Sequence, residues 1–423
     1  MMWFAILTTE YGDIYDCVDF YKQPAFDHPR LKNHTFHPQM RPSSIPKSLK
    51  VETSSRENVI KLDDIKLKDG GCPTGTVPIR RVSKDEYIQM RRFTKQYASQ
   101  RGVNGLQPQP GTHGKLCKSD LSKIWKAKFY DDSDTIEMDF FQLAIAQTKY
   151  KPGTIYNGVG AYLSIHNPAV TSSQYSSAEM IIQSGSDSIQ VGWTVNPALN
   201  KDNHTRFFQY LNAGQSHCFN NLCPGFVSVR SDIPIDYIFH RISIYGKVAY
   251  IIQVFVYQDA KSGNWWLQIK DDTVIGFWPQ QIFSGLAHSA TYIAIGGEAY
   301  SPPGQPLPPM GNGHYPTEDT SLSAYCRGFF VLDENHKQID TQDTEEYRDM
   351  KNYAVFDMGI DKKRGRRDGP PRLSVANHLL VANPATIKEA RPKELGVTMS
   401  RRMAMATHES PKPIWRHGHV DSI

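Results

Sequence analysis

Two short stretches of this chain carry residues that could do chemistry together. In Ser188-Ile-Gln-Val-Gly-Trp-Thr-Val195 a glutamine stands two places before a glycine, and in Ile295-Gly-Gly-Glu-Ala-Tyr300 a glutamate stands two places after one. A carboxylate can take a proton from water, and a primary amide can donate a hydrogen bond to a developing oxyanion. Those two functions are enough to hydrolyse an amide bond without a metal or a covalent nucleophile. Both stretches read as strands, in which alternate residues share a face. Gln190 therefore lies with Gly192, while Ile189, Val191, Trp193 and Val195 face the other way. Glu298 shares its face with Gly296, and the glycines remove side chains that would hold a substrate backbone at a distance. A bulge at Gly296-Gly297 would break this parity. The candidate site is Glu298 and Gln190 as catalytic residues in a groove of Gly192, Gly296, Gly297 and Trp193, with parity turning Trp193 toward a core. Glu179, in the strand-like Ser177-Ala-Glu-Met-Ile-Ile182, is the alternative carboxylate for the place of Gln190.

Other catalytic patterns are weaker. The 15 histidines are scattered, with no His-Glu-x-x-His arrangement, no cysteine has a nucleophile's histidine context, and no glycine-rich phosphate loop follows a strand. No metal and no cofactor are expected. Six cysteines are consistent with export. Cys218 and Cys223 bracket a turn-rich stretch ending in Pro224-Gly225, a short closure that suits a disulfide, and Cys17 with Cys72 could form a second. Zinc is the competing reading for the Cys-x4-Cys pair, but no second ligand pair stands at zinc-finger distance. Cys117 and Cys326 stay unassigned. The triplets Asn33-His-Thr35 and Asn203-His-Thr205 are acceptor sites for glycosylation and fit a secretory route.

The elements that must position these residues fall into four zones along 423 residues. Residues 10–95 form a small mixed α+β piece, with a turn cluster at Gly70-Gly-Cys-Pro-Thr-Gly75 and a strand at Thr76-Val-Pro-Ile-Arg-Arg81. Ser83-Lys-Asp-Glu86 opens a short helix running to about Thr94, with Ser83 as N-cap and Glu86 in the capping-box place. Residues 96–128 are polar and rich in Gln, Gly, Pro and Lys, an exposed linker of the sort proteases cut. Residues 129–333 hold short strand-like runs at 141–146, 158–166, 178–183, 189–195, 225–229, 249–257, 264–269, 292–295 and 325–332, separated by turn residues. Without a long amphipathic helix between them, they predict a mainly β fold, an antiparallel β-sandwich or flattened barrel. Residues 334–423 are charged, with only fragments of hydrophobic periodicity, and read as a disordered tail.

The formal charge of +5 is small for this length and gives no support for nucleic-acid binding. The basic run at residues 362–367 reads as solvated tail. No segment approaches the roughly 20 apolar residues of a membrane span. The apolar start, residues 1–7, lacks the basic region and cleavage site of a complete signal peptide.

The assembled motifs resemble the neprosin family, secreted glutamic peptidases with an N-terminal activation segment. Gly12-Asp-Ile-Tyr-Asp-Cys-Val-Asp-Phe-Tyr21 and Gly71-Cys-Pro-Thr-Gly-Thr-Val-Pro-Ile-Arg-Arg81 are similar to the activation domain. Val191-Gly-Trp-Thr-Val-Asn-Pro197, Cys218-Phe-Asn-Asn-Leu-Cys-Pro-Gly-Phe-Val227, Gly263-Asn-Trp-Trp-Leu267, Ile275-Gly-Phe-Trp-Pro279 and Gly296-Gly-Glu298 are similar to the catalytic domain. The resemblance implies a β-sandwich endopeptidase cutting peptides or proteins at acid pH, after proline in its best-known member, and made as a precursor inhibited by its own N-terminal domain. It implies an extracellular location and maps Glu298 onto the family's second glutamate. At position 190 the chain departs from the two-glutamate pattern. The related fungal-type glutamic peptidases use a Gln/Glu pair, so Gln190 can serve as oxyanion donor; the alternative is a non-catalytic sandwich that binds at the cell wall or in the extracellular space.

Overall fold

The computed structural model describes residues 5–46, 57–101, 141–270, 273–317, 319–341, 344–348, 353–357 and 379–381. Most of the expected linker, Cys117, the basic run at 362–367, residues 1–4 and the end of the chain after 381 lie outside these.

The N-terminal piece contains β1 (Ile6–Thr8), β2 (Ile14–Asp19), β3 (Glu57–Val59), β4 (Thr76–Arg80) and α1 (Lys84–Gln100). Strands β1, β2 and β4 form an antiparallel sheet in that order. Ser83 caps α1 as its residue type predicts, its side chain accepting from the Glu86 amide at 3.2 Å. The Glu86 carboxylate does not complete a capping box; it turns to Arg80 at 3.1 Å. The helix also outruns its expected end near Thr94. The polar residues 95–100 are competent helix formers, and the added turn and a half buries Tyr97 against the sandwich.

The sandwich is built from β5 (Phe141–Thr148), β6 (Gly158–Ser164), β7 (Tyr175–Ser184), β8 (Asp187–Val195), a short helix α2 (Pro197–Asn200), β9 (Arg206–Ala213), β10 (Ser216–Phe219), β11 (Val227–Ser228), β12 (Ala249–Gln258), β13 (Trp265–Ile269), β14 (Thr273–Trp278), β15 (Tyr292–Tyr300) and β16 (Ala324–Leu332). Four further strands follow, β17 (Gln338–Asp340), β18 (Thr344–Arg348), β19 (Val355–Asp357) and β20 (Leu379–Val381). One sheet runs β10-β9-β8-β7-β15-β5-β18, and the other runs β11-β14-β13-β12-β6-β16-β20-β19 with β17 beside β16. The expected antiparallel β-sandwich is present, and every strand-like run lies wholly or partly in a strand. Of the strands from β5 to β16, three, β9, β10 and β14, lie outside those runs. The zone expected to be a disordered tail after Asp333 supplies edge strands to both sheets; β18 pairs with β5 from Thr344 opposite Thr148 to Arg348 opposite Ala144.

The layer between the sheets is apolar and rich in aromatics. Trp193, Trp265 and Trp278 are fully buried there, and Trp266 is fully buried on the opposite face of β13, against Phe277. Three of their indole N–H groups find acceptors: Ser164 O at 2.8 Å for Trp193, Leu286 O at 2.7 Å for Trp265 and Gln209 Oε1 at 3.1 Å for Trp278. Cysteine pairing follows the sequence reading, with Cys17 bonded to Cys72 and Cys218 to Cys223. The buried Cys326 is free.

The N-terminal piece is fastened to the sandwich in several places. Strand β3 pairs in parallel with β12 at Ala249–Ile251, continuing the edge that β13 occupies from Val254 onward. Arg80 meets Asp236 at 2.7 Å, Arg206 meets Asp13 at 2.9 Å, Arg241 meets Asp64 at 3.0 Å, and Ser43 donates its amide to Asp259 at 2.7 Å.

Candidate active site

Strand register decides which side chains share the outer face of the seven-stranded sheet. Gln190 is opposite Ile181, Glu179 is opposite both Gly192 and Gly296, and Ser177 is opposite both Thr194 and Glu298. Paired residues point to one face, so Gln190, Glu179 and Glu298 all emerge on the same side. No bulge interrupts β15 at Gly296-Gly297; the pairing to β7 is continuous from Tyr292 to Tyr300. Gln190 and Glu298 therefore share the face expected of them, but Glu179 stands between them. Each is a diagonal neighbour of Glu179, about 7–8 Å away in Cα position. Gln190 and Glu298 are two strands and four residues apart, roughly 15 Å on ordinary sheet spacings.

The groove residues divide. Gly192 and Gly296 lie on the outer face beside Glu179. Trp193 and Gly297 have the opposite parity, and Trp193 is core, so it does not line the groove. The glycines also have a different cause from the one expected. A Cβ on Gly192 would lie 2.0 Å from the Ala178 carbonyl oxygen, and one on Gly296 would lie 2.3 Å from that of Ala144. Close approach of the neighbouring strands excludes side chains at these positions, and Glu179 therefore has no side chain directly opposite it on either strand.

All three polar side chains are buried because α1 covers them. The Tyr97 hydroxyl donates to Gln190 Oε1 at 2.7 Å. Arg101, at the end of the helix, places its guanidinium against Glu298 Oε2 in a buried ion pair. The Tyr175 hydroxyl donates to Glu298 Oε1 at 2.7 Å. The Arg101 guanidinium carbon lies 3.3 Å from the Tyr97 ring centre and 4.4 Å from that of Phe141, so cation–π contacts hold the charge where water is excluded. Tyr97 itself packs among Tyr210 at 4.7 Å, Phe219 at 4.9 Å and Tyr175 at 6.0 Å. Arg101, Tyr97, Tyr175 and Tyr210 have no part in the sequence-based site. Three of them lie in zones read as linker or between strand-like runs, and Tyr175 lies just before the run at 178–183.

Electrostatics follow from this enclosure. Burial works most strongly against the charge on Arg101, but Glu298 together with Tyr97, Tyr175 and Glu179 outweighs it and raises the pKa. Burial raises the Tyr97 and Tyr175 hydroxyls well above the usual tyrosine range and pushes Tyr210 up to about 12. The Glu179 carboxyl is also held well above its usual range, first by burial and then by the negative charge of Glu298. One Glu179 oxygen accepts from Ser177 Oγ at 3.3 Å, and the other has no hydrogen-bond partner. The Gln190 Nε2 likewise has none. A substrate carbonyl in this groove would meet an unused amide donor, and a water would meet the Glu298 carboxylate. Among the described residues no His, Cys, Asp and Glu cluster could hold a metal.

The carboxylate-bearing face of this β-sandwich is closed by a cation from the chain's own N-terminal segment. Residues 6–115 match the neprosin activation peptide and residues 172–368 match neprosin. The chain belongs to the neprosin family. Among solved structures, scytalido-glutamic peptidase with a peptide-based transition-state analogue is similar at 10% identity over 58% of this chain and 98% of its own, with a TM-score of 0.31. The same peptidase with a transition-state analogue inhibitor is similar at 8% identity over the same shares, with a TM-score of 0.30. SCP-B, a member of the Eqolisin family in complex with the tripeptide Ala-Ile-His, is similar at 10% identity and the same coverage, with a TM-score of 0.27.

Proposed function

We propose that this chain is the inactive precursor of a secreted glutamic endopeptidase that works at acid pH and cuts after proline. The observation that carries the reading is Arg101 sealed against Glu298: the activation segment delivers a cation onto the residue expected to be the base, and the Tyr97 ring backs that cation. In the released enzyme Glu298 takes a proton from the attacking water and hands it to the departing amine, while the Gln190 amide donates to the oxyanion. The unpartnered Gln190 Nε2 supports that donor role. Removal of α1 opens the groove, and a cut in the segment between residues 101 and 141 would free it. Secretion is supported by the two disulfides and by the exposure of both sequon asparagines, Asn33 and Asn203, as glycan acceptors. Among the described residues no helix is long and apolar enough to cross a membrane.

The test is a digest of a peptide library by acid-treated, cleaved protein. Cuts C-terminal to proline are expected, with turnover falling about 10³-fold or more in Glu298→Gln. Full turnover in that variant refutes the base assignment, and a wild-type protein that cuts nothing between pH 3 and 7 (about the range of carboxylate and histidine titration) refutes the peptidase reading.

A further inference from the structure

We propose that Glu179 is a catalytic residue of this site, the carboxylic acid that shares its proton with Glu298 and passes it to the carbonyl oxygen of the substrate. The proposal rests on the peptidase reading above and names the group that completes it. Four observations carry it. Glu179 is fully buried beneath the helix that masks the site, on the same face as Gln190 and Glu298 and between them. Both of its cross-strand neighbours are glycines, so no side chain stands beside it on either adjoining strand. Its carboxyl is the diagonal cross-strand neighbour of the Glu298 carboxyl, and two buried carboxyls side by side are favourable only when one of them is protonated. One of its oxygens is buried with no partner. A neutral acid in this place directs an O–H donor into the groove, and a carboxylate does not.

The charged and titratable groups facing Glu179 are Glu298 on β15, Tyr175 on its own strand, and Tyr97 and Arg101 from the masking helix. Burial first and then Glu298 oppose ionisation of Glu179, Arg101 favours it, and the net effect holds the carboxyl well above its usual range. When α1 leaves, the cation leaves with it, and two neighbouring carboxyls then hold one proton between them.

The reaction balances with these groups alone. Glu298 removes a proton from water as the water oxygen bonds to the peptide carbon, and the carbonyl π electrons move onto oxygen. That oxygen takes the proton of Glu179, with the Gln190 amide as second donor. Collapse of the tetrahedral species returns the hydroxyl proton to Glu179 and expels the amine, which takes the proton held by Glu298. One water is consumed, and both carboxyls regain their starting states.

The roles separate through Glu179→Gln, the exchange Glu179→Gln with Gln190→Glu, and wild type, each cleaved and assayed for kcat and KM across pH. Glu179→Gln is nearly isosteric and is expected to lower kcat about 10³-fold with little change in KM. The exchange moves the carboxyl to a place two strands and four residues from Glu298, too far to share its proton, and is expected to leave the loss in place. A readout independent of turnover is the infrared carbonyl stretch of a neutral carboxylic acid in the uncut precursor at pH 7, present in wild type and absent in Glu179→Gln. Wild-type kcat and pH profile in Glu179→Gln overturn the proposal, as does a neutral-acid band that survives the substitution. If wild type itself cuts no peptide, the peptidase reading falls and the catalytic role falls with it; disappearance of the band then shows only that Glu179 is the neutral acid.

Discussion

Arg101→Ala in the uncut precursor tests the masking of the site most directly. The guanidinium and the Glu298 carboxylate are both buried, and their pairing is the charge contact made on the proposed base itself. Removing one partner of a buried ion pair costs about 3–5 kcal/mol, because the other charge is left without solvent or counterion. At about 1.36 kcal/mol per tenfold step, that loosens the closed state roughly 10²- to 5 × 10³-fold. The remaining fastenings, Tyr97 on Gln190 at 2.7 Å and the pairing of β3 with β12, keep the segment tethered, so the variant should open at the site without unfolding. The assay is hydrolysis of a quenched fluorescent peptide by uncut protein, made uncuttable in the segment between residues 101 and 141. A second measurement is inhibition of cleaved enzyme by an activation segment added in trans. Uncut Arg101→Ala is expected to turn over substrate, and the Arg101→Ala segment to inhibit with a Ki raised about 10²-fold or more. Cleaved enzyme from either precursor should show the same kcat. If uncut Arg101→Ala is as silent as wild type and its segment inhibits equally well, the ion pair does not mask the site.

Two further outcomes follow from the docking contacts. Burial, and the charge of Arg30 beside it, lower His28 of the activation segment from the usual 6.5, so the docked state binds fewer protons than the released one. Its contribution is full above pH 6.5 and is lost as pH falls through the depressed value. At Asp64 and Asp259 burial pushes upward, but the bonds from Arg241 and Ser43 prevail and lower both below the usual 3.8. Their contribution is present above 3.8 and is lost as pH falls through the lower, docked values. The Ki of the segment in trans should therefore rise between pH 7 and 5 and rise again below 4; a flat Ki across that range refutes acid release at these contacts. Replacing Cys17 and Cys72 by serine opens a loop with a sequence separation of 55 and should cost about 4 kcal/mol, against about 2 kcal/mol for Cys218 and Cys223 at a separation of 5. Denaturant unfolding measures both, and equal losses would show that loop closure is not the source of the stabilisation.

Much of this protein is legible from local pattern. Alternation of apolar and polar residues marks strands because a strand presents its faces with period two, and it puts Gln190 and Gly192 on one face and Trp193 in the core without any knowledge of the partner strands. Ser83 starts a helix because its side chain satisfies an amide three residues away. Cys218 and Cys223 are close enough in sequence that a turn alone brings them together. Residues 95–101 show where local reading stops. Their polarity looks like linker, and only the aromatic face formed by Tyr175, Tyr210 and Phe219 makes helix the better state for them. Strand β18 is similarly invisible, because its charged sequence is strand only through pairing with the edge of β5.

The sequence by itself determined the sandwich, the two cysteine pairs and Glu298 as the residue to watch. Tertiary structure alone decided which groups meet it. Tyr97 reaches Gln190 across 93 positions, Arg101 reaches Glu298 across 197, and Glu179 comes between the two through the order and register of β8, β7 and β15. A side chain's type and its neighbours in sequence say which chemistry it can do. Strand register and the burial it imposes say which partner and which protonation state it has, and those belong to residues far apart in the chain.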